Sequence, residues 1–325
     1  MKCPNCGYQH SVKLGMNCKS CRYRFVFNPK ARESYQLTDG KFLAYLQSVS
    51  QNGTAYFTRN QLYANYCRRL KPVWIPQAIF GAVAAFLTFV LLTKPMPFAL
   101  LGMLSAAASG VLITWAIKAK PRPLAYDKFM RMVDRWIESK GNIAGLIDGP
   151  SLQTAPPDWT EKDIYDYGVE RILIVQRDEL VDLFVLNNLH AEQRMLVISE
   201  AGYPNYLLPI ARRLLEERLT LPVFLLHDAG PFGEQMAQRL DKLGLPLQNR
   251  RVIDLGFSSQ DFQKMKRLDA FDRGRQRRDL PADALATPLL VAGVAACFVQ
   301  EVPLSTLLAE QTREAALEAG YSSFG

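Results

Sequence analysis

Two long runs without a charged residue, 73–93 and 95–117, constrain this chain more than any other feature. Each exceeds the roughly 20 apolar residues that a helix needs to cross the hydrocarbon core of a bilayer. Lys94, followed by Pro95 and Pro97, marks a tight turn between them. The pair reads as a transmembrane helical hairpin over 73–117; a buried hairpin in a soluble domain is the alternative. Trp74 and Trp115 stand near the outer ends, where interfacial anchors belong. Arg68, Arg69 and Lys71 precede the first run and Lys118, Lys120 and Arg122 follow the second, against Lys94 alone in the turn. The positive-inside rule therefore puts both termini in the cytoplasm and the chain in the inner, cytoplasmic membrane. Gly81 and Ala85, then Gly102, Ala106 and Gly110, recur at four-residue spacing. Small residues let helices approach closely in lipid, either within the hairpin or between copies in a homo-oligomer. A third apolar run, 284–300, contains Pro288 and is short for a span; it is expected to be a buried helix of a C-terminal helical segment, 281–325.

Ahead of the hairpin, Cys3, Cys6, Cys18 and Cys21 form two Cys-x-x-Cys knuckles eleven residues apart. Two facing knuckles supply the four thiolates that tetrahedral zinc requires, so 1–28 reads as a zinc ribbon with a structural zinc. Two disulfides would instead need an oxidising compartment. His10, between the knuckles, is expected to be a solvated loop residue, and the isolated Cys67 and Cys297 to be buried small residues. Residues 1–72 hold twelve Lys and Arg against Glu33 and Asp39, a net of +10 in a chain whose total is +8. The positive excess thus sits in the first quarter, which points to a polyanionic partner: nucleic acid, DNA or RNA, or anionic lipid. Lys13, Lys19, Arg22 and Arg24 in the ribbon, with Arg59, Arg68 and Arg69 nearer the membrane, are the candidate contacts.

The segment 34–72 reads as a small helix-turn-helix or winged-helix-like module. Apolar residues at helical spacing cover 38–50, Gln51-Asn52-Gly53 breaks the pattern, and 55–57 has the character of a short strand. Thr58 with Gln61 makes a capping box for a helix over 59–70. Tyr63 and Tyr66 share its apolar face with Leu62 and are expected in the core. After the hairpin, 124–140 is an amphipathic helix carrying Tyr126, Phe129, Met130, Val133, Trp136 and Ile137, and 141–157 reads as a linker or irregular wrap. A basic stretch, 264–279, is expected to be solvated, with phosphate contact as its other use.

The remaining region, 165–280, carries an α/β pattern. Strands are expected at Arg171–Val175 and Met195–Ser199, a Gly-Tyr-Pro-Asn loop comes next at 202–205, then a helix over 206–218. A further strand begins at Val223 and ends at Asp228-Ala-Gly-Pro-Phe-Gly233, with a helix over 234–243. This order and these motifs resemble the Toprim domain of the topoisomerase VI A subunit and the related meiotic DNA-breaking proteins. The phrase 57–63 is similar to the segment ending in a tyrosine pair that precedes that domain in the family. The resemblance implies a parallel-sheet fold with a Glu after the first strand and Asp-x-Asp-Pro-x-Gly after the third, together holding magnesium. Here Gln176 stands in place of the Glu, Asp228 matches the first Asp, and Gly230 replaces the second. The family's attacking tyrosine aligns with Ala64. One carboxylate of the set remains, and magnesium prefers one or two carboxylates with waters and phosphates in an octahedron. Asp178 and Glu179 lie close enough in sequence to substitute, or they serve as first-turn acids complementing the dipole of a helix over 178–190.

The expected architecture is multi-domain: zinc ribbon, helix-turn-helix-like module, transmembrane hairpin, amphipathic helix and linker (124–157), and a Toprim-like α/β domain with a parallel sheet. The expected function is non-catalytic: a membrane-tethered protein holding nucleic acid, or a partner that processes it, at the cytoplasmic face. A magnesium-dependent nuclease using Asp228, Glu179 and Asp178 is the first rival. A scaffold gripping anionic lipid is the second.

Overall fold

The computed structural model describes residues 1–30, 37–70, 123–155, 168–258, 271, 274–275 and 279–310. The expected spans at 73–117, most of the basic stretch 264–279 and the end of the 141–157 segment lie outside the described residues. The chain divides into two units, Met1–Tyr66 with Leu124–Gly325, and Cys67–Pro123. Among the described residues no single helix is long and apolar enough to cross a membrane. Thr287–Gln300 and Leu304–Glu310 together reach that length and apolar character, but they are bent by 103° where they meet.

In the larger unit each cysteine knuckle closes as a small hairpin, with antiparallel bridges Lys2–Gln9 and Asn17–Arg24. Asp39, 1% exposed, joins the ribbon to the helical module behind it. It opens helix α1 (Asp39–Val49), capped by Thr38, and accepts from the backbone N–H groups of Val26 and Phe27 and from the Tyr23 hydroxyl. Strand β1 (Phe57–Thr58) leads into α2 (Arg59–Arg68), and the capping box forms as expected: Gln61 N donates to Thr58 Oγ1 at 3.2 Å and Thr58 N to Gln61 Oε1 at 3.0 Å.

Helix α3 (Tyr126–Lys140) buries Phe129, Met130, Met132, Val133 and Trp136. Its rings mesh with those of the N-terminal module, Phe27 and Phe42 around Trp136, and Tyr63 and Tyr66 around Phe129. Tyr63 and Tyr66 are core residues, and Ala64 is fully buried between them. The segment after α3 is less free than a linker. Strand β2 (Leu146–Ile147) pairs in parallel with β1. Ser151 then bonds to the buried Asp182 through both its N–H (2.7 Å) and its hydroxyl (2.6 Å). These partners lie far apart in sequence, which is why local composition suggested a loose connection.

The α/β region is a four-stranded parallel sheet: β3 (Arg171–Val175), β4 (Met195–Ser199), β5 (Val223–Leu226) and β6 (Val252–Asp254), in the order β4-β3-β5-β6. β4 and β5 are buried throughout and β3 from its second residue, which explains their unbroken apolar runs. Helix α4 (Asp178–Leu186) comes after β3, stopping four residues short of the expected end before a separate turn at Leu189–Glu192. Helix α5 (Leu208–Glu217) begins with Pro209 in its first turn, after a 3-10 turn at Asn205–Leu207. Its Ala211, Leu214 and Leu215 cover the Ile172, Ile174, Leu196, Ile198 and Leu225 side of the sheet. The helix expected over 234–243 is three short turns beginning at Pro231. Run 284–300 forms α6 (Thr287–Gln300), half-buried, with Phe298 4.8 Å from the Phe224 ring.

Candidate functional sites

Two places concentrate functional side chains. In the ribbon, the ligand atoms of Cys3, Cys6, Cys18 and Cys21 lie within 4.8 Å of one another. Sγ–Sγ distances are 3.6 Å for Cys3–Cys21 and 3.7 Å for Cys6–Cys18, and all four cysteines are free. A tetrahedron with metal–sulfur bonds of about 2.3 Å has edges of about 3.8 Å, so the four sulfurs fit a metal. The Asn5 side chain and the Tyr23 backbone lower the Cys21 thiol to about 6, whereas burial pushes the Cys3 thiol up to about 11. His10 is buried, not solvated: it stacks on Phe25 at 5.3 Å, and its Nε2 bonds to the Gly15 carbonyl at 2.8 Å. The ring fills the space between the knuckles instead of joining the sulfur cluster. Lys13, Lys19, Arg22 and Arg24 are exposed on this module.

The second place is the carboxyl edge of the sheet. In the order β4-β3-β5-β6, chain connections reverse direction between β3 and β5, and the crevice at such a switch point is where open α/β sheets bind ligands. Gln176 and Arg177 come after β3 there, and His227 and Asp228 after β5. The crevice is filled by the chain itself. Gln176 Oε1 accepts from Asp228 N at 2.8 Å. The Arg177 guanidinium lies between Asp228 (Nε–Oδ2 2.8 Å) and Asp283 (Nη2–Oδ1 2.5 Å), carboxylates that are 10% and 0% exposed. Asp228 Oδ1 accepts from Ala282 N, and Asp283 from the Thr58 hydroxyl and the Asn60 amide. The capped start of α2, the switch-point loops and the 280–285 turn are thus tied at one buried knot. Burial pushes the Asp228 carboxyl up, against the pull of Arg177, whereas Arg177, Thr58 and Asn60 outweigh burial and hold Asp283 below the usual range.

Asp228 is therefore committed to Arg177, and Asp178 and Glu179 do not join it. Glu179 touches the outer side of Arg177 at 4.0 Å, and Asp178 lines a separate recess with Gln153, Tyr203 and Asn205. Among the described residues the cysteine cluster is the sole group of three or more His, Cys, Asp or Glu placed to share a metal. Gly230 has φ +133°, which L side chains rarely adopt, and a Cβ at Gly233 would sit 1.9 Å from the Asp228 carbonyl. The glycines here are demanded by the backbone. Arg59 is engaged as well: its guanidinium bonds to Asp134 (2.7 Å) and Asp148 (2.5 Å). Arg68 and Arg69 are exposed at the end of α2, and Cys67 and Cys297 are buried.

Sequence reasoning missed Arg177, Asp182 and Asp283. A lone acid just before the apolar run 284–300 was the one signal available for Asp283; the other two carried none. Comparison of the chain with protein-family models, with curated proteins and with solved structures returned no match.

Proposed function

We propose that this chain is a membrane-tethered, non-catalytic protein. Its zinc-holding ribbon binds nucleic acid, or a partner that processes it, at the cytoplasmic face, and its α/β region is a Toprim-like platform. The observation that carries this reading is the opposite use of charge at the two places. Lys13, Lys19, Arg22 and Arg24 face outward on the ribbon, whereas Asp228 is consumed by Arg177 inside the crevice. A closed set of four soft thiolates at tetrahedral spacing favours zinc.

Support for the hairpin comes from its two ends. Leu124 N donates to the Tyr66 hydroxyl at 3.0 Å, and the Tyr63 hydroxyl to the Leu124 carbonyl at 2.6 Å. The intervening chain thus leaves and returns at one place, as two antiparallel spans require. The Toprim-like reading draws on the parallel sheet and on the adjacency of Gln176 and Asp228 at its carboxyl edge. In that reading a fixed guanidinium stands where the family places a divalent cation, and the nuclease alternative would have to expel Arg177 from two buried carboxylates.

The test is binding of the full chain in lipid nanodiscs to single- and double-stranded nucleic acid over a range of salt. Affinity should fall linearly on a log–log plot, with a slope of about −3 to −4 for duplex DNA if four phosphates are contacted. Absence of binding at low salt, together with adhesion to anionic vesicles, hands the reading to the lipid scaffold. Magnesium-dependent cleavage lost on Asp228→Ala would establish the enzyme instead.

A further inference from the structure

We infer that the first knuckle of the ribbon carries an oxyanion site, made by the Tyr8 hydroxyl and the Ser11 and Val12 N–H groups, that takes a nucleic-acid phosphate. The two knuckles are copies of one unit: Met1, Cys3, Cys6 and Tyr8 recur fifteen residues on as Met16, Cys18, Cys21 and Tyr23. The backbone repeats with them. Cys3 N donates to Tyr8 O at 2.9 Å and Cys18 N to Tyr23 O at 2.8 Å, while His10 N donates to Met1 O at 2.7 Å and Phe25 N to Met16 O at 2.8 Å. Even the left-handed residue recurs, Gly7 at φ 74° and Arg22 at φ 61°. In the second copy the Asp39 carboxylate accepts from the Tyr23 hydroxyl (3.0 Å) and from the N–H groups of Val26 (3.0 Å) and Phe27 (2.9 Å). Tyr8, Ser11 and Val12 hold the same three positions in the first copy, where no acid of the chain meets them. Tyr8 is 45% exposed, and among the described residues neither its hydroxyl nor the Ser11 and Val12 N–H groups have a hydrogen-bond partner.

The occupied copy thus shows what the exposed one is built to hold: an oxyanion, bound by one hydroxyl and two backbone donors. Phosphate oxygens in nucleic acid accept from these same two kinds of group. The surroundings favour a repeating anion over a single carboxylate. Residues 1–30 carry Lys2, Lys13, Lys19, Arg22, Arg24 and Lys30, all exposed, and no Asp or Glu. The cations supply attraction along a polyanion, and the three neutral donors fix one phosphate against the knuckle. The site rests on the repeat; the choice of nucleic acid as its occupant rests on the proposed function of the ribbon.

The test uses the full chain in a neutral detergent, with a short oligothymidylate and an oligoglutamate peptide as probes. It reads affinity over a range of salt and the amide resonances of Ser11 and Val12. Oligothymidylate should move both resonances. Tyr8→Phe should weaken its binding by about five- to tenfold and leave the salt slope unchanged, because a neutral hydroxyl displaces no counterions. Oligothymidylate that binds without moving the two amides, or binds Tyr8→Phe as tightly as the parent chain, overturns the site and leaves the nucleic-acid reading standing. If Tyr8→Phe does not fold, the two amides of the parent chain decide alone. Oligothymidylate that does not bind at low salt defeats the nucleic-acid reading and the phosphate as occupant. In that case oligoglutamate moving the same amides would put an acidic protein segment in its place, and still amides would overturn the site itself.

Discussion

The ribbon and the switch-point crevice hold the two densest sets of functional side chains, and they spend them in opposite ways. In the ribbon, four sulfurs converge inward and the basic side chains point out into solvent. In the crevice, Arg177, Asp228, Asp283, Thr58 and Asn60 satisfy one another, and the place where an open α/β sheet would bind a ligand is occupied by the protein's own residues. A motif-bearing edge is therefore no guide to activity until the partners of its carboxylates are known. Four experiments separate or merge the two regions.

The largest effect should come from the sulfur cluster. Cys18→Ser, or chelation, should abolish stoichiometric zinc and unfold residues 1–28, because metal binding of about 10–16 kcal/mol supplies the folding free energy of such small modules. Metal analysis with amide protection of the ribbon checks this. Purified protein without zinc would break the comparison at its first term.

Arg177→Gln should rank second, destabilising the larger unit by about 3–5 kcal/mol, because it leaves buried acids without a counter-charge. Arg177→Lys should recover only part of the loss, since an ammonium cannot span both carboxylates with a planar fork. Denaturant unfolding of the full chain in detergent reads both. Rescue of Arg177→Gln by millimolar magnesium would reveal that Asp228 and Asp283 still form a cation site once the guanidinium is gone.

The same contrast explains what could be read in advance. Strands β3 and β4 match their expected bounds because buried parallel strands announce themselves as unbroken apolar runs closed by polar residues. The Thr58–Gln61 box and the paired knuckles are equally local, with their partners three residues apart or in one repeated spacing. The crevice knot is not local. Arg177 lies 51 residues from Asp228 and 106 from Asp283, and Arg59 lies 89 from Asp148. No window of sequence contains such a pairing, so Arg59 read as a free cation and Asp228 as a free ligand. His10 failed for the same reason on a smaller scale, since the ring that buries it, Phe25, returns only with the second knuckle.

Reversing charge at Lys13, Lys19, Arg22 and Arg24 should weaken nucleic-acid binding by about tenfold or more at moderate salt and flatten the salt dependence by up to about four contacts. Arg59→Gln should leave that slope alone and lower stability instead, because its charge already meets Asp134 and Asp148. A slope that responds to Arg59→Gln but not to the four ribbon residues would reverse the roles assigned to these two sets of cations.

The smallest effect belongs to His227, at the rim of the crevice. Its Nδ1 lies 2.8 Å from the Asp228 carbonyl oxygen and its Nε2 3.1 Å from Asp254 Oδ1. Both partners are acceptors, so both ring nitrogens are satisfied only in the imidazolium. Burial pulls the pKa of His227 down, but these two bonds and the neighbouring acids carry it above its ordinary value; Asp254 is held below its own, its bond to His227 outweighing burial. A raised histidine contributes stability that is complete below an unfolded value of about 6.5 and is lost as pH rises through the folded value. The lowered Asp254 contributes stability present above about 3.9 and lost as pH falls through its folded value. Asp254 is more than half exposed, so solvent screening holds the pair to under about 1 kcal/mol. His227→Gln should therefore cost little at pH 8 and more at pH 6, flattening the decline in stability between them. Unfolding curves at the two pH values decide it. An undiminished decline in the variant would move the titrating group elsewhere, and with it the claim that His227 is held charged between its two acceptors.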